Sequence, residues 1–367
     1  MAIKIDQRFD ALLKELAERR GRVYDYIFNH PYAARLSPPH IHQAALSYLK
    51  LGGKSLRPAV MLLSCGAVGG DEQVAIPAAA GIEVYHTWTL VHDDVIDKDP
   101  LRRGKPTVHV EFAQRGAQEF GLTGDAAEHY GRVIAILAGD AQQSWSYMLF
   151  HDLHTQFGVD PRLVLRLVGE LATDVQLLLL EGETLDVQFT SRDAFNPTED
   201  QILAMLRKKT GVLYEFAGRA GAMIGLGDAS GNTPEVAQIA RFCGTCGTAF
   251  QLQDDILGVV GETAITGKPV GADLREGKMT LLALHTLREA VGKKRETFLH
   301  AFGRSDASEE AILAATAVLR DVEAIQYTQS VAQRMVEGAL TEIEILAPTP
   351  YRDLLITWGQ YMIERRW

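Results

Sequence analysis

The chain has 367 residues, 47% of them hydrophobic, and a formal net charge of −10. That composition supplies a sizeable core. The anionic excess excludes nucleic acid as an expected partner, and three cysteines are too few for a disulfide framework.

The N-terminal MAIKIDQRFDALLKELAERR is charged and helix-patterned, with no apolar stretch of signal-peptide length. No run approaches the roughly 18 consecutive apolar residues of a membrane span. The expectation is a soluble, cytoplasmic protein without stable membrane insertion. Apolar positions three and four apart predict helices over 8–28, 39–51, 55–67, 73–97, 130–153, 160–190, 198–226, 233–257, 278–290, 308–319, 322–345 and 350–365. Breaks fall at Gly52-Gly53, Gly69-Gly70, Pro100, Gly104, Pro106, Gly225 to Gly231 and Gly258 to Gly271. Few stretches alternate like strands. The fold class is therefore all-α, with 1–367 read as one helical domain. Helices 73–97 and 233–257 each end in an acidic cluster, which suits a bundle whose acidic helices face each other across a central cavity. The stretch 111–129 reads as a flexible insertion.

Five features carry chemistry. Gly52-Gly53-Lys54-Ser55-Leu56-Arg57-Pro58 is a glycine turn before a helix, with Lys54 and Arg57 near the helix start, a ready anion site. It lacks the spacing of a nucleotide-hydrolysing P-loop. His86 lies seven residues before Asp93, two turns back on the same face, and is either a core histidine or part of the same site. Asp93-Asp94-Val95-Ile96-Asp97 sets Asp93 and Asp97 on one helical face, and Arg102-Arg103-Gly104 follows. Like charges that close need a cation between them. Magnesium suits the site, because it takes a few carboxylates and leaves positions for phosphate oxygens, while the arginines suit the same phosphates. Lys209-Thr210 lies within a helical stretch and is unremarkable alone. Gln251-Leu252-Gln253-Asp254-Asp255 repeats the acidic theme, with Lys268-Pro269 beyond it. Two metal-loading clusters with bases imply a diphosphate substrate. The C-x-x-C of Cys243 and Cys246 sits in a small-residue helical pattern with no partner motif, and reads as close packing rather than redox or zinc chemistry.

Taken together these motifs resemble the trans-isoprenyl diphosphate synthases, from Gly52 to at least Thr280. The order is G-G-K-x-x-R-P, H-T-x-x-L-x-H-D-D-x-x-D-x-x-x-x-R-R-G-x-P-T, K-T, then Q-x-Q-D-D-x-L with G-K-P and D-x-x-x-G-K-x-T. The resemblance implies an isoprenoid-synthase-type bundle around a deep apolar cavity, usually in a homodimer. It implies three magnesium ions, held by Asp93, Asp94 and Asp97 of the first motif and Asp254 and Asp255 of the second. Arg102, Lys209 and Lys268 match contacts to the allylic diphosphate. Lys54, Arg57, His86 and Arg103 match the isopentenyl diphosphate site. Thr210 and Gln251 match groups near the developing carbocation. The implied reaction joins isopentenyl diphosphate to an allylic diphosphate, with the released diphosphate as the usual base. Geranylgeranyl diphosphate is the expected product, with farnesyl or longer chains as alternatives. Family members line the pocket about one turn before the first motif, where Trp88 and Thr89 stand here; Trp88 either forms its floor or packs outside it.

Three positions depart from the family pattern. Gly258 stands where a third aspartate is usual, Glu183 where glutamine is usual, and Ser55 where a basic residue is common. Arg365-Arg366 either closes over the diphosphates or forms a solvated tail. A terpene cyclase would not need Lys54, Arg57, His86 and Arg103, and a non-catalytic partner subunit would lose its aspartates.

Overall fold

The computed structural model describes residues 7–191, 196–260 and 271–365. It is built from helices, and the only strands among the described residues are two of two residues each. They divide into two compact units.

The first unit holds the chain up to Val168 together with Ala220–Gly231. Its helices are α1 (Asp10–Asn29), α2 (Pro31–Ala34), α3 (Pro39–Leu51), α4 (Leu56–Ala67), α5 (Glu72–Ile96), α6 (Val108–Phe120), α7 (Asp125–Thr155) and most of α8 (Pro161–Glu170). Leu12, Leu16, Val23 and Ile27 recur at helical spacing and bury one face of α1. Arg19 shares that face because Glu72 receives its Nε at 2.8 Å. Asp71 caps α5 by accepting the Gln73 backbone N–H at 2.9 Å.

α5 and α7 pack against one another through small residues. A Cβ at Gly81 would stand 2.7 Å from the Phe150 ring, and one at Gly139 would stand 2.9 Å from Trp88 and 2.1 Å from His92. Only glycine permits that approach. α6 crosses α7 in the same way, since a Cβ at Gly131 would meet the His109 carbonyl oxygen at 2.0 Å.

The expected flexible insertion at 111–129 is not one. Residues 111–120 belong to α6, and 125–129 open α7. Val108, Phe112 and Gly116, four residues apart, are buried, and the first two join Ile134, Ala135 and Ala138 in one core cluster. Polar residues over the rest of α6 hide this narrow stripe in the sequence. A short hairpin was also not anticipated. Leu101–Arg102 pairs antiparallel with Lys105–Pro106 around Arg103 and Gly104, both at positive φ (52° and 72°).

The second unit holds Gly169–Arg219 and the chain from Asn232 onward. A π-helical segment, Leu171–Val175, leads into α9 (Gln176–Phe189). α10 (Glu199–Leu206) continues through a second π segment, Arg207–Gly211, into α11 (Val212–Leu226). α12 (Pro234–Val260) follows, then α13 (Ala272–Glu276), α14 (Leu281–Glu289), α15 (Gly292–Ala301), α16 (Glu309–Asp321), α17 (Ala324–Leu340) and α18 (Pro350–Glu364). α12 packs against α17 and α18, with Trp358 set between Phe242 and Tyr214 at 6.0 and 5.7 Å. It also runs past its acidic cluster rather than ending there. α15 was not anticipated, because only Phe298 and Ala301 of its ten residues are buried.

Cys243 and Cys246 are free and buried. Burial pushes the Cys246 thiol well above its ordinary range, and Cys243 Sγ would lie 2.4 Å from a Cβ at Gly218. Both are packing residues, as the sequence pattern implied.

At Gly131 the obstructing atom is backbone and cannot swing away. Gly131→Ala is expected to cost about 1–3 kcal/mol by overpacking, read as a lowered Tm. An unchanged Tm would show that the α6–α7 crossing has slack.

Candidate active site

In the first unit, the C-terminal turn of α5 carries the first acidic cluster. Asp93 and Asp97 each bring a carboxylate oxygen within 4.8 Å of the other. Asp94 points elsewhere and is 1% exposed. The hairpin delivers Arg102, whose Nε donates to Asp94 Oδ1 and Oδ2 at 2.9 and 2.8 Å, and whose Nη2 reaches Asp93 at 3.4 Å. The Tyr48 hydroxyl also donates to Asp94, and itself accepts the Val108 N–H at 3.2 Å. Burial opposes the Arg102 charge, but the Asp94 hydrogen bond and charge outweigh it and hold the guanidinium ionised. Tyr48 was missed by sequence reading. It lies outside every recognisable motif, and only the packing of α3 brings it here.

The predicted isopentenyl-site residues gather around His86. Arg57 Nη1 donates to His86 Nε2 at 3.0 Å, so Nδ1 carries the proton toward Thr89 Oγ1 at 3.3 Å. Thr89 in turn donates to the His86 carbonyl at 2.8 Å. Burial first, then the charges of Arg57, Arg103 and Arg102, hold His86 well below the usual histidine range. The Arg103 guanidinium lies over Gly53, whose absent Cβ would be 2.7 Å from Nη2. Lys54 is half-buried in the same glycine turn. Ser55 adopts left-handed backbone (φ 49°), and its hydroxyl donates to Glu83 at 2.8 Å, with Tyr24 donating to the same oxygen at 3.0 Å. Ser55 is thus a buried partner of a carboxylate on α5.

Trp88 is 7% exposed and packs T-shaped on Tyr85 at 4.8 Å. Its indole N–H donates to His92 Nδ1 at 3.1 Å.

In the second unit, the π segment Arg207–Gly211 presents Lys209 and Thr210. Such single-turn bulges re-aim side chains and recur at functional sites. Lys209 Nζ pairs with Asp186 at 2.7 Å and with Glu183 at 2.9 Å. A Cβ at Gly182 would meet the Lys209 backbone N at 2.4 Å, so glycine lets α9 close on the bulge. Thr210 Oγ1 donates to Gln251 at 3.0 Å, and Gln251 Nε2 donates to Asp255 Oδ1 at 3.0 Å. Asp255 is buried, and burial, then the charges of Asp273, Asp254 and Asp186, push its carboxyl well above the usual range. Asp254 is ion-paired with Arg365, which is buried, lies 3.9 Å over the Phe250 ring, and receives Gln253 Nε2 on its carbonyl at 3.1 Å. Arg365 is therefore not a solvated tail. Lys268 and Arg366 lie outside the described residues.

The donors of both clusters are carboxylate oxygens, the type magnesium prefers, with no soft ligand among them.

The family model described as polyprenyl synthetase matches residues 38–344. The chain is 32% identical over 331 residues to a geranylgeranyl diphosphate synthase of Methanosarcina mazei, covering 90% of this chain and 91% of that protein. It is 34% identical over 338 residues to a geranylfarnesyl diphosphate synthase of Aeropyrum pernix, covering 90% and 96%. Among solved structures it resembles geranylgeranyl pyrophosphate synthase from Corynebacterium glutamicum, complexed with isoprenyl diphosphate and magnesium. That match has a TM-score of 0.82 at 27% identity, covering 97% of this chain and 99% of that one.

His86 offers a pH test. Its folded pKa lies below its unfolded one, so the unfolded chain takes up the proton first as pH falls. Its contribution to stability is present above about pH 6.5 and is lost below that. In an NMR titration of labelled histidine, the His86 ring is expected to keep neutral-form shifts at about pH 6, where an exposed histidine is largely protonated. A midpoint at or above about 6.5 would contradict this arrangement.

Proposed function

We propose that this chain, which belongs to the polyprenyl synthetase family, joins isopentenyl diphosphate to an allylic diphosphate with magnesium, and that its main product is geranylgeranyl diphosphate. The chain is a trans-prenyltransferase with an all-α isoprenyl-synthase fold. One family model running through both compact units supports reading them as a single domain.

The observation that carries the reaction is the set of bases held close to each acidic cluster. In the proposed roles, Asp93 and Asp97 hold metal from the first cluster, and Asp254 and Asp255 from the second, with three ions in all. Bound magnesium neutralises charge building on the departing diphosphate. Asp94 holds Arg102 in place, so that a preorganised guanidinium meets the allylic diphosphate. Lys209 and Lys268 bind the same group. Lys54, Arg57 and Arg103 hold isopentenyl diphosphate, and neutral His86 aims Arg57. The allylic C–O bond breaks, the isopentenyl double bond attacks the cation, and a proton then leaves to the released diphosphate. Thr210 and Gln251 turn hydroxyl and amide dipoles toward the cation. Two bound diphosphates supply the orientation.

Geranylgeranyl synthases among the relatives support the product, and the geranylfarnesyl synthase marks the next longer alternative. We read the protein as a cytoplasmic homodimer. Exposed Ile136, Leu137 and Met148 on α7 give a second copy apolar surface to cover. No described helix is long and apolar enough to cross a membrane.

The test is product analysis of the purified chain with labelled isopentenyl diphosphate and dimethylallyl, geranyl or farnesyl diphosphate. A twenty-carbon product is expected, lost on chelation. Asp93→Ala and Asp254→Ala should lower turnover by orders of magnitude with unchanged circular dichroism. Near-normal turnover by both variants would overturn the assignment.

Trp88 is the residue we assign to limiting chain length. Trp88→Ala should shift products to longer chains while the first condensation persists. The stability cost is about 3–5 kcal/mol for a buried aromatic. An unchanged product profile in the folded, active variant would place the limit on other side chains.

A further inference from the structure

Gly258 stands in the interior of α12, one turn after Asp254 and on the same face. Glycine there is less favourable in a helix than alanine, so its presence calls for a reason. The space its side chain would fill supplies one. Among the described residues, a Cβ at position 258 would find one neighbour within 4 Å, Asp273 Oδ2, at 3.2 Å. The carboxylate of Asp273 reaches the spot toward which a side chain at 258 would project.

Backbone contacts fix it there. The Gly271 N–H donates to the Gly258 carbonyl at 3.0 Å, and Gly271 takes the left-handed φ of 79° that turns the chain back along α12. The Lys278 N–H then donates to the Asp273 carbonyl at 3.0 Å, closing the short α13 turn. Asp273 is thereby held beside α12 although it lies fifteen residues along the chain from Gly258.

A second observation points to what this carboxylate faces. Asp255 is 6% exposed, and among the described residues no donor reaches its Oδ2. Gln251 occupies only Oδ1. Asp255 lies three residues before Gly258 on the same helix, within one turn of it. A buried carboxylate oxygen without a donor is costly unless the carboxyl holds its own proton or a cation meets it.

We propose that Asp273 is a metal-holding residue of the second acidic cluster, its carboxylate reaching in from α13 to do at Gly258 what a side chain on α12 would otherwise do. The proposal rests on the magnesium-dependent reading above. Asp254, Asp255 and Asp273 then form the oxygen donor set, with Gly258 as the gap that admits the third member. Glycine at 258 leaves that place to Asp273, because a larger side chain would compete for it.

The test titrates manganese into the full-length protein with inorganic pyrophosphate present, followed by electron paramagnetic resonance. Asp273→Asn should weaken one manganese of the wild-type stoichiometry by about tenfold or more, with circular dichroism unchanged. Adding Gly258→Asp to Asp273→Asn should recover that ion, because the new carboxylate projects into the same space from the Asp254 face. Wild-type stoichiometry and affinity in folded Asp273→Asn would overturn the proposal. So would a loss that the double variant fails to recover. If the wild-type protein binds no manganese at all, the magnesium reading fails instead. Should Asp273→Asn not fold, the double variant alone decides: the proposal requires it to fold and bind with wild-type stoichiometry.

Discussion

The site depends on ionised groups kept close together without collapsing onto one another. Carboxylates and guanidinium groups in low dielectric attract strongly, and left unconstrained they would pair off and leave nothing for a substrate. The Asp94–Arg102 pair meets this constraint by dividing labour. One aspartate is buried and wholly committed, with both oxygens on Arg102 and a further bond from Tyr48. Asp93, beside it, meets the same guanidinium at the longer distance of 3.4 Å. A buried carboxylate is expensive unless every lone pair is used, and here the Tyr48 hydroxyl helps use them.

The same division recurs among the bases. Arg57 is steadied by a neutral histidine, which helps fix its direction. Lys209 is treated differently. Two carboxylates hold it, Asp186 and Glu183, and the second is a residue where the family usually has glutamine. Ser55, where a basic residue is common, keeps its hydroxyl on Glu83, so that position supports the glycine turn instead of adding charge to it.

Most helices were legible because apolar spacing survives in long elements such as α5, α7 and α12. α6 and α15 were not, since each buries only two or three side chains and a stripe that thin is lost among polar neighbours. The aspartates and the bases in motif order were legible because their chemistry demands particular residue types at fixed spacing. Tyr48, Glu83 and Asp186 were less so. They act through contacts that join distant segments, and nothing local in the sequence marks a tyrosine as the partner of an aspartate forty-six residues away. The hairpin at 101–106 was hidden for another reason. Its turn places arginine, not glycine, at one left-handed position.

The π segment at Arg207–Gly211 has a consequence for how this protein can change. Such a segment amounts to an α-helix carrying one surplus residue. Deleting that residue would restore regular hydrogen bonding and relieve a local irregularity. It would also rotate everything on one side by about 100° relative to the other. Either Lys209 and Thr210 would leave Asp186 and Gln251, or the buried face of α11 would turn to solvent. Point substitutions can tune the side chains of this helix, but its length is locked: the irregularity can be removed only by a change that breaks the packing on one side of it.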